Sequence, residues 1–270
     1  MTLRIAGRDR IARVYTPRGY PAEHAFPLVV NLHGSGATAA VQEEQASRMD
    51  ATADVEGFLV AYPQAQRRAG NGFAWNIPGT PAWIASGPDD VAFIRQLIAT
   101  VSASHCVAPG KVYGTGFSGG ARMVSQLACQ AEPLFAAVAA VGGLRAPSPC
   151  PAGPVPVLAI HGSADLQNPY DGRGQAYWTY GVPEAARRWA AHNGCPGGPA
   201  VGTGAPGVTV TSYRGCPGSA DVELFTVLGK GHQWPQSRPG GFAPNEVIWR
   251  FFAAHRLPDR ERVPPRHRGG

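Results

Sequence analysis

The sequence predicts an α/β fold: a mainly parallel, doubly wound sheet with helices on both faces, held in a single domain. Three observations carry this. Short, nearly continuous apolar runs at residues 28–32 and 58–62 are what strands buried on both faces look like. Helix-length patterns separate the apolar runs, so strand and helix alternate through most of the chain. A chain of 270 residues with 44% hydrophobic content can bury one sizeable core, and folds of this class often keep that length in one domain.

The elements follow in order. Residues 11–15 alternate like a half-exposed antiparallel strand, and the buried-type strands at 28–32 and 58–62 come next. Further strands are expected at 112–115, 135–141, 155–160 and 222–228. Helices are expected at 43–55, 89–104, 121–131, 183–192 and 245–254. Pro88-Asp89-Asp90 marks a helix start, so the acidic pair reads as a cap rather than an acid/base dyad. Residues 63–88 have few periodic cues and read as a functional loop over one end of the sheet. The Gly/Pro-rich residues 196–207 read as a surface excursion. The domain is assigned to 1–256, and 257–270 to a basic tail with little to bury.

Composition excludes several classes. The formal charge is +6, but residues 256–270 hold five arginines against Asp259 and Glu261, a surplus of three. Half of the excess is therefore a tail, and nucleic acid is not an expected partner. The longest apolar run falls far short of the roughly 18 residues that cross a bilayer, so no membrane span is expected. The first residues lack the order of a secretory signal, so either the chain is cytoplasmic or a signal was removed or never included. Among five cysteines, Cys195 and Cys216 sit in turns flanking the Gly/Pro-rich loop, which suits a disulfide, and Cys106, Cys129 and Cys150 allow one further pair. The alternative is five buried thiols; disulfides would place the chain in an oxidising compartment.

Gly116-Phe117-Ser118-Gly119-Gly120 lies between a β-like and a helix-like run. That context makes it a candidate nucleophile elbow, where a serine stands on a turn too tight for bulky neighbours. Such a serine needs a base, and the base needs a carboxylate to hold its tautomer. Both occur downstream at strand ends: Asp165 closes His161-Gly162-Ser163-Ala164-Asp165, and His232 follows Gly229-Lys230-Gly231. Asp165 could instead be a turn former, with Asp171 the alternative acid. A tetrahedral oxyanion needs two N–H donors; Gly119 and Ser35, within His33-Gly34-Ser35-Gly36, are the candidates. Trp75 and Trp234 are candidate aromatic walls for substrate, or ordinary packing. His33 and His161 close apolar strands and read as structural or pocket-lining. No metal motif stands out, and neither a metal nor a cofactor is expected.

These residues resemble the polyhydroxybutyrate depolymerase-like esterases, which include feruloyl and acetyl xylan esterases. The likeness rests on Asn31-Leu32-His33-Gly34-Ser35-Gly36, residues 56–63, Trp75-Asn76, residues 90–94 and 112–120, residues 161–165 with 169–172, and Gly231-His232-Gln233-Trp234-Pro235. It implies an α/β-hydrolase fold, a Ser118–Asp165–His232 triad, cofactor-free hydrolysis of a carboxylic ester, and secretion. The implied substrate is a small or oligomeric ester: a hydroxyalkanoate oligomer, or a feruloyl or acetyl ester of plant polysaccharide. Gly119 stands where the family usually carries a larger side chain, which is expected to widen the pocket. The chain ends soon after its last helix with no evident polymer-binding module, which favours a soluble ester. Rival readings are a serine peptidase or lipase of the same fold, and a non-catalytic binding protein.

Overall fold

A computed structural model describes residues 1–258 apart from 22, 82, 175 and 238–240; most of the expected basic tail, residues 259–270, lies outside the described residues. Twelve strands are described: β1 (Thr2–Ile5), β2 (Arg8–Tyr15), β3 (Phe26–Leu32), β4 (Leu59–Pro63), β5 (Arg67–Ala69), β6 (Gly72–Ala74), β7 (Val107–Phe117), β8 (Ala137–Val141), β9 (Val157–Gly162), β10 (Ala200–Ala205), β11 (Val208–Tyr213) and β12 (Val222–Val227). The α-helices are α1 (Ala39–Val41), α2 (Asp50–Glu56), α3 (Asp90–Ser104), α4 (Gly119–Ala128), α5 (Val182–His192) and α6 (Pro244–Ala253).

Ten strands form one sheet in the order β1-β2-β4-β3-β7-β8-β9-β12-β11-β10. The six central strands, β4 to β12 in that order, run parallel, and antiparallel pairs close each edge. The apolar runs explain this: every residue of β4, β8 and β9 is buried, so these strands need a helix layer on each side. Alternation does the sorting. Leu28, Val30 and Leu32 pack with Phe93, Leu97, Val124 and Trp189 of α3, α4 and α5, whereas Val29, Val141 and Ile160 pack with Ala53 of α2 and Ile248 and Phe252 of α6. Among the described residues, no helix is long and apolar enough to cross a membrane.

Topology positions the site. The chain passes from β3 to β4 on one side of β3 and later returns to β7 on the other. This reversal is a switch point, where the loops leaving two adjacent strands diverge and open a crevice. Gly34 and Ser35 follow β3 there, and Ser118 follows β7.

Several expectations are corrected. The helix expected at 43–55 is broken: α1 runs into a π-helix at Gln42–Ser47, Arg48 turns left-handed (φ 49°), and α2 begins at Asp50. Asn31 imposes the break, because its side chain binds both Gln42 and Ser47. In the Gly/Pro-rich stretch, β10 forms an exposed edge strand on β11; its ladder uses main-chain groups, so small exposed side chains leave no periodic trace. Within 63–88, β5 and β6 form a hairpin whose Phe73 pairs with Ala37, directly against the Gly34–Ser35 loop. Asp89 caps α3 by accepting the Ala92 N–H, but Asp90 is a buried partner of Arg10 at 2.6 Å. Cys195 is bonded to Cys216 and Cys129 to Cys150, while Cys106 is free and exposed.

Candidate active site

Ser118 is the N-cap of α4 with φ 53° and ψ −111°. A non-glycine residue there is strained, and the surroundings enforce it. Steric limits fix the neighbours: a Cβ on Gly116 would lie 2.7 Å from the Gly120 backbone, and one on Gly120 would collide with the Leu32 carbonyl. Only glycines let the turn between β7 and α4 close against β3. The hydroxyl-bearing residue is thereby lifted to a half-exposed position above the sheet.

Gly119 and Ser35 meet across the same turn. A Cβ on Gly119 would collide with Ser35 Oγ and lie 2.9 Å from Ser35 N, so the two candidate donor amides belong to abutting residues. This corrects the expected widening of the pocket: the volume left by the missing Gly119 side chain is filled by the Ser35 hydroxyl.

The candidate acid and base, Asp165 and His232, come from the loops after β9 and β12. His232 Nδ1 lies 2.7 Å from Asp165 Oδ2, and the His232 ring packs 4.8 Å from Phe117, the residue before Ser118. Asp165 Oδ1 accepts the backbone N–H groups of Gln167 and Asn168, both at 2.8 Å. Burial alone would raise this carboxyl, but donors from His161, His232 and Asn168 outweigh it and hold the pKa well below the usual carboxylate range. An ionised carboxylate at Nδ1 fixes the tautomer that leaves Nε2 free as a base. No hydrogen bond joins Ser118 Oγ to the imidazole; such contacts commonly tighten only around bound substrate. Asp171, the alternative acid, faces solvent and pairs with Arg173.

His161 is buried, with Nε2 placed 3.2 Å from Asp165 Oδ2 and 2.9 Å from the Asn168 carbonyl, so the acid is held by two imidazoles. Asn168 also donates from Nδ2 to the Gly142 carbonyl at 2.7 Å. Sequence reasoning passed over Asn168; its position three residues after Asp165, where an Asx turn places its N–H, was the available signal.

The tryptophans are corrected. Trp75 is 1% and Trp234 4% exposed, so neither offers a wall to a ligand. Each spends its indole N–H inside the protein, Trp75 on the His33 carbonyl at 2.8 Å and Trp234 on Asn245 Oδ1 at 2.9 Å. Trp75 thus buttresses the strand end that leads to Ser35, and Trp234 anchors the loop that follows His232.

Known proteins resemble this chain in sequence and in fold. The family described as "Esterase PHB depolymerase" matches residues 11–147. The putative esterase NocK of Nocardia uniformis subsp. tsuyamanensis is 34% identical, with 86% of this chain and 72% of that protein aligned. The chain belongs to the PHB depolymerase esterase family. Two more relatives of this esterase share 30% identity: feruloyl esterase B of Piromyces equi, aligned over 90% of this chain and 44% of its own length, and poly(3-hydroxyalkanoate) depolymerase C of Paucimonas lemoignei, over 82% and 58%. The chain therefore spans less than two thirds of either. Acetyl xylan esterase from Aspergillus awamori shares the fold, with TM-score 0.64, 18% identity, and coverage of 90% of this chain and 93% of that one. The esterase is a carboxylic ester hydrolase with the α/β-hydrolase architecture.

Proposed function

We propose that the esterase works through Ser118, His232 and Asp165. The observation that carries this reading is the 2.7 Å bond between His232 and Asp165, on loops that converge beside a left-handed serine at the topological switch point. Ser118 Oγ attacks the ester carbonyl while His232 Nε2 takes its proton and Asp165 holds Nδ1–H. The amides of Gly119 and Ser35 stabilise the oxyanion. Collapse expels the alcohol, protonated by His232, and leaves an acyl-enzyme. Water, deprotonated by the same imidazole, then releases the acid and regenerates Ser118.

The substrate reading is a small or oligomeric ester, either a hydroxyalkanoate oligomer or a feruloyl or acetyl ester, with no cofactor, nucleic acid or membrane partner. Two disulfides support an oxidising, extracellular setting. Turnover of acetyl, feruloyl and hydroxybutyrate esters by the parent and by Ser118→Ala tests the mechanism. The variant should lose several orders of magnitude, up to about a million-fold, and should resist a fluorophosphonate that labels the parent. Equal turnover by the two proteins would refute it, and faster cleavage of peptides than of esters would favour a peptidase.

A further inference from the structure

Two half-buried arginines near the candidate site, Arg122 and Arg145, have no ion pair among the described residues. Arg122 of α4, Arg145 after β8 and Arg188 of α5 gather around Tyr177, Trp178 and Tyr180. The Arg122 guanidinium carbon lies 5.3 Å from the Tyr177 ring centroid, that of Arg145 lies 4.4 and 3.5 Å from Trp178 and Tyr180, and that of Arg188 lies 3.9 Å from Tyr180. Arg188 pairs with Glu184, which Arg187 shares. Among the described residues, Arg122 and Arg145 have no carboxylate within ion-pair distance. Their bonds go to neutral oxygens: Arg122 Nη1 to Asn168 Oδ1 at 3.0 Å and Arg145 Nη1 to the Tyr180 carbonyl at 2.9 Å. Arg122 Nε is buried with no partner at all.

Such an arrangement is costly, because a cation withdrawn from water needs a counter-charge and neutral dipoles or ring faces compensate only in part. Burial pulls both arginines below their ordinary pKa, offset only in part by Tyr177 at Arg122 and by Tyr180 at Arg145, where Arg188 and Arg122 add repulsion. Guanidinium groups nevertheless remain charged and present a planar fork suited to a carboxylate.

Arg122 also lies in the first turns of the helix that Ser118 caps. It follows Ser118 by four residues, about 6 Å of rise, and its N–H donates to the Ser118 carbonyl at 3.1 Å. Helical side chains lean toward the N-terminus, here the serine end. Its partner Asn168 in turn holds Asp165 through its N–H and Gly142, beside the His232 ring, through its amide.

We infer that Arg122 and Arg145 form a carboxylate-binding subsite, and that the preferred substrate is an ester carrying a free carboxylate a few bonds from the scissile carbonyl, such as a half-ester of a dicarboxylic acid. The inference rests on the serine-esterase reading above. Two matched pairs of substrates test it. On the acyl side, 4-nitrophenyl hydrogen adipate is compared with methyl 4-nitrophenyl adipate; on the alcohol side, 4-acetoxybenzoate is compared with its methyl ester. For each pair the readout is the ratio of kcat/KM, anionic over neutral, in the parent, Arg122→Gln, Arg122→Lys and Arg145→Gln. The ratio should fall in at least one pair by about tenfold to a hundredfold in Arg122→Gln, the loss expected for one charge-assisted contact. Arg122→Lys should restore part of it, and high salt should weaken the parent's preference. If Arg122 only braces Asn168, both members of each pair will fall together and the ratio will not move, which overturns the inference. A parent that hydrolyses neutral esters without any change of ratio refutes this subsite alone. Failure of the parent on every ester, with no fluorophosphonate labelling, refutes the underlying mechanism instead.

Discussion

Acid should destabilise this esterase through His33. The side chain is 0% exposed, and its contacts define one protonation state. Nδ1 lies 2.8 Å from the Gly34 carbonyl and donates to it, while Nε2 accepts the Ala65 N–H at 3.0 Å. Burial opposes the charge and outweighs the Gly34 bond that favours it, so the pKa is pulled down from 6.5 to about 4; a proton on Nε2 would also face the Ala65 N–H head-on. The unfolded chain therefore takes the proton first. The stabilisation from neutral His33 is complete above pH 6.5, drains away as pH falls, and is gone below about 4. At about 1.4 kcal/mol per pH unit, the whole effect is about 3 kcal/mol. Urea unfolding of the parent and of His33→Asn, at intervals from pH 7.5 to 4, isolates it from other titrating groups. The stability gap between the two should shrink by about 3 kcal/mol across that range. A gap that does not depend on pH would refute the reasoning, as would a His33 imidazole NMR titration with its midpoint near 6.5. The consequence reaches function, because the His33 backbone carries both the Trp75 contact and the turn to Ser35.

Two further expectations follow from packing. Gly119→Ala must displace Ser35, whose Oγ and N would both crowd the new Cβ; losing this proposed oxyanion donor should lower kcat by about a hundredfold or more, whereas a kcat within twofold of the parent would refute the role proposed for Ser35. Asp90→Ala strands a buried Arg10 and frees the Asn76 N–H that Asp90 also accepts, so it should cost about 3–5 kcal/mol in denaturant unfolding; a loss under about 1 kcal/mol would mean the pair is dispensable.

Much of the fold was legible because burial on both faces leaves a continuous apolar signature. The central strands fall within a few residues of the apolar runs, and Asp89 was readable as a cap from its place before a helical pattern. The edge strands β1, β10 and β11 were not, since half-exposed strands on a main-chain ladder impose little on side-chain chemistry. Nor was the break in the 43–55 helix, whose cause is a side-chain contact from Asn31 on the preceding strand β3.

At the site the division is similar. Local rules fix the elbow: Gly116 and Gly120 are demanded by a turn that cannot hold a Cβ, and the order of serine, acid and histidine sets which strand ends carry them. Which groups surround them depends on contacts between residues far apart in the chain. Trp75 and Trp234 turned out to be buttresses, His161 became a second imidazole on Asp165, and the Gly119 volume went to Ser35, because packing across the switch point assigns those spaces. The sequence by itself determined which candidate groups stand at the strand ends, since turn sterics and position along the chain act locally. Only the tertiary structure decided what packs around them, including two arginines that have no ion pair among the described residues, because burial and charge pairing are properties of neighbours in space.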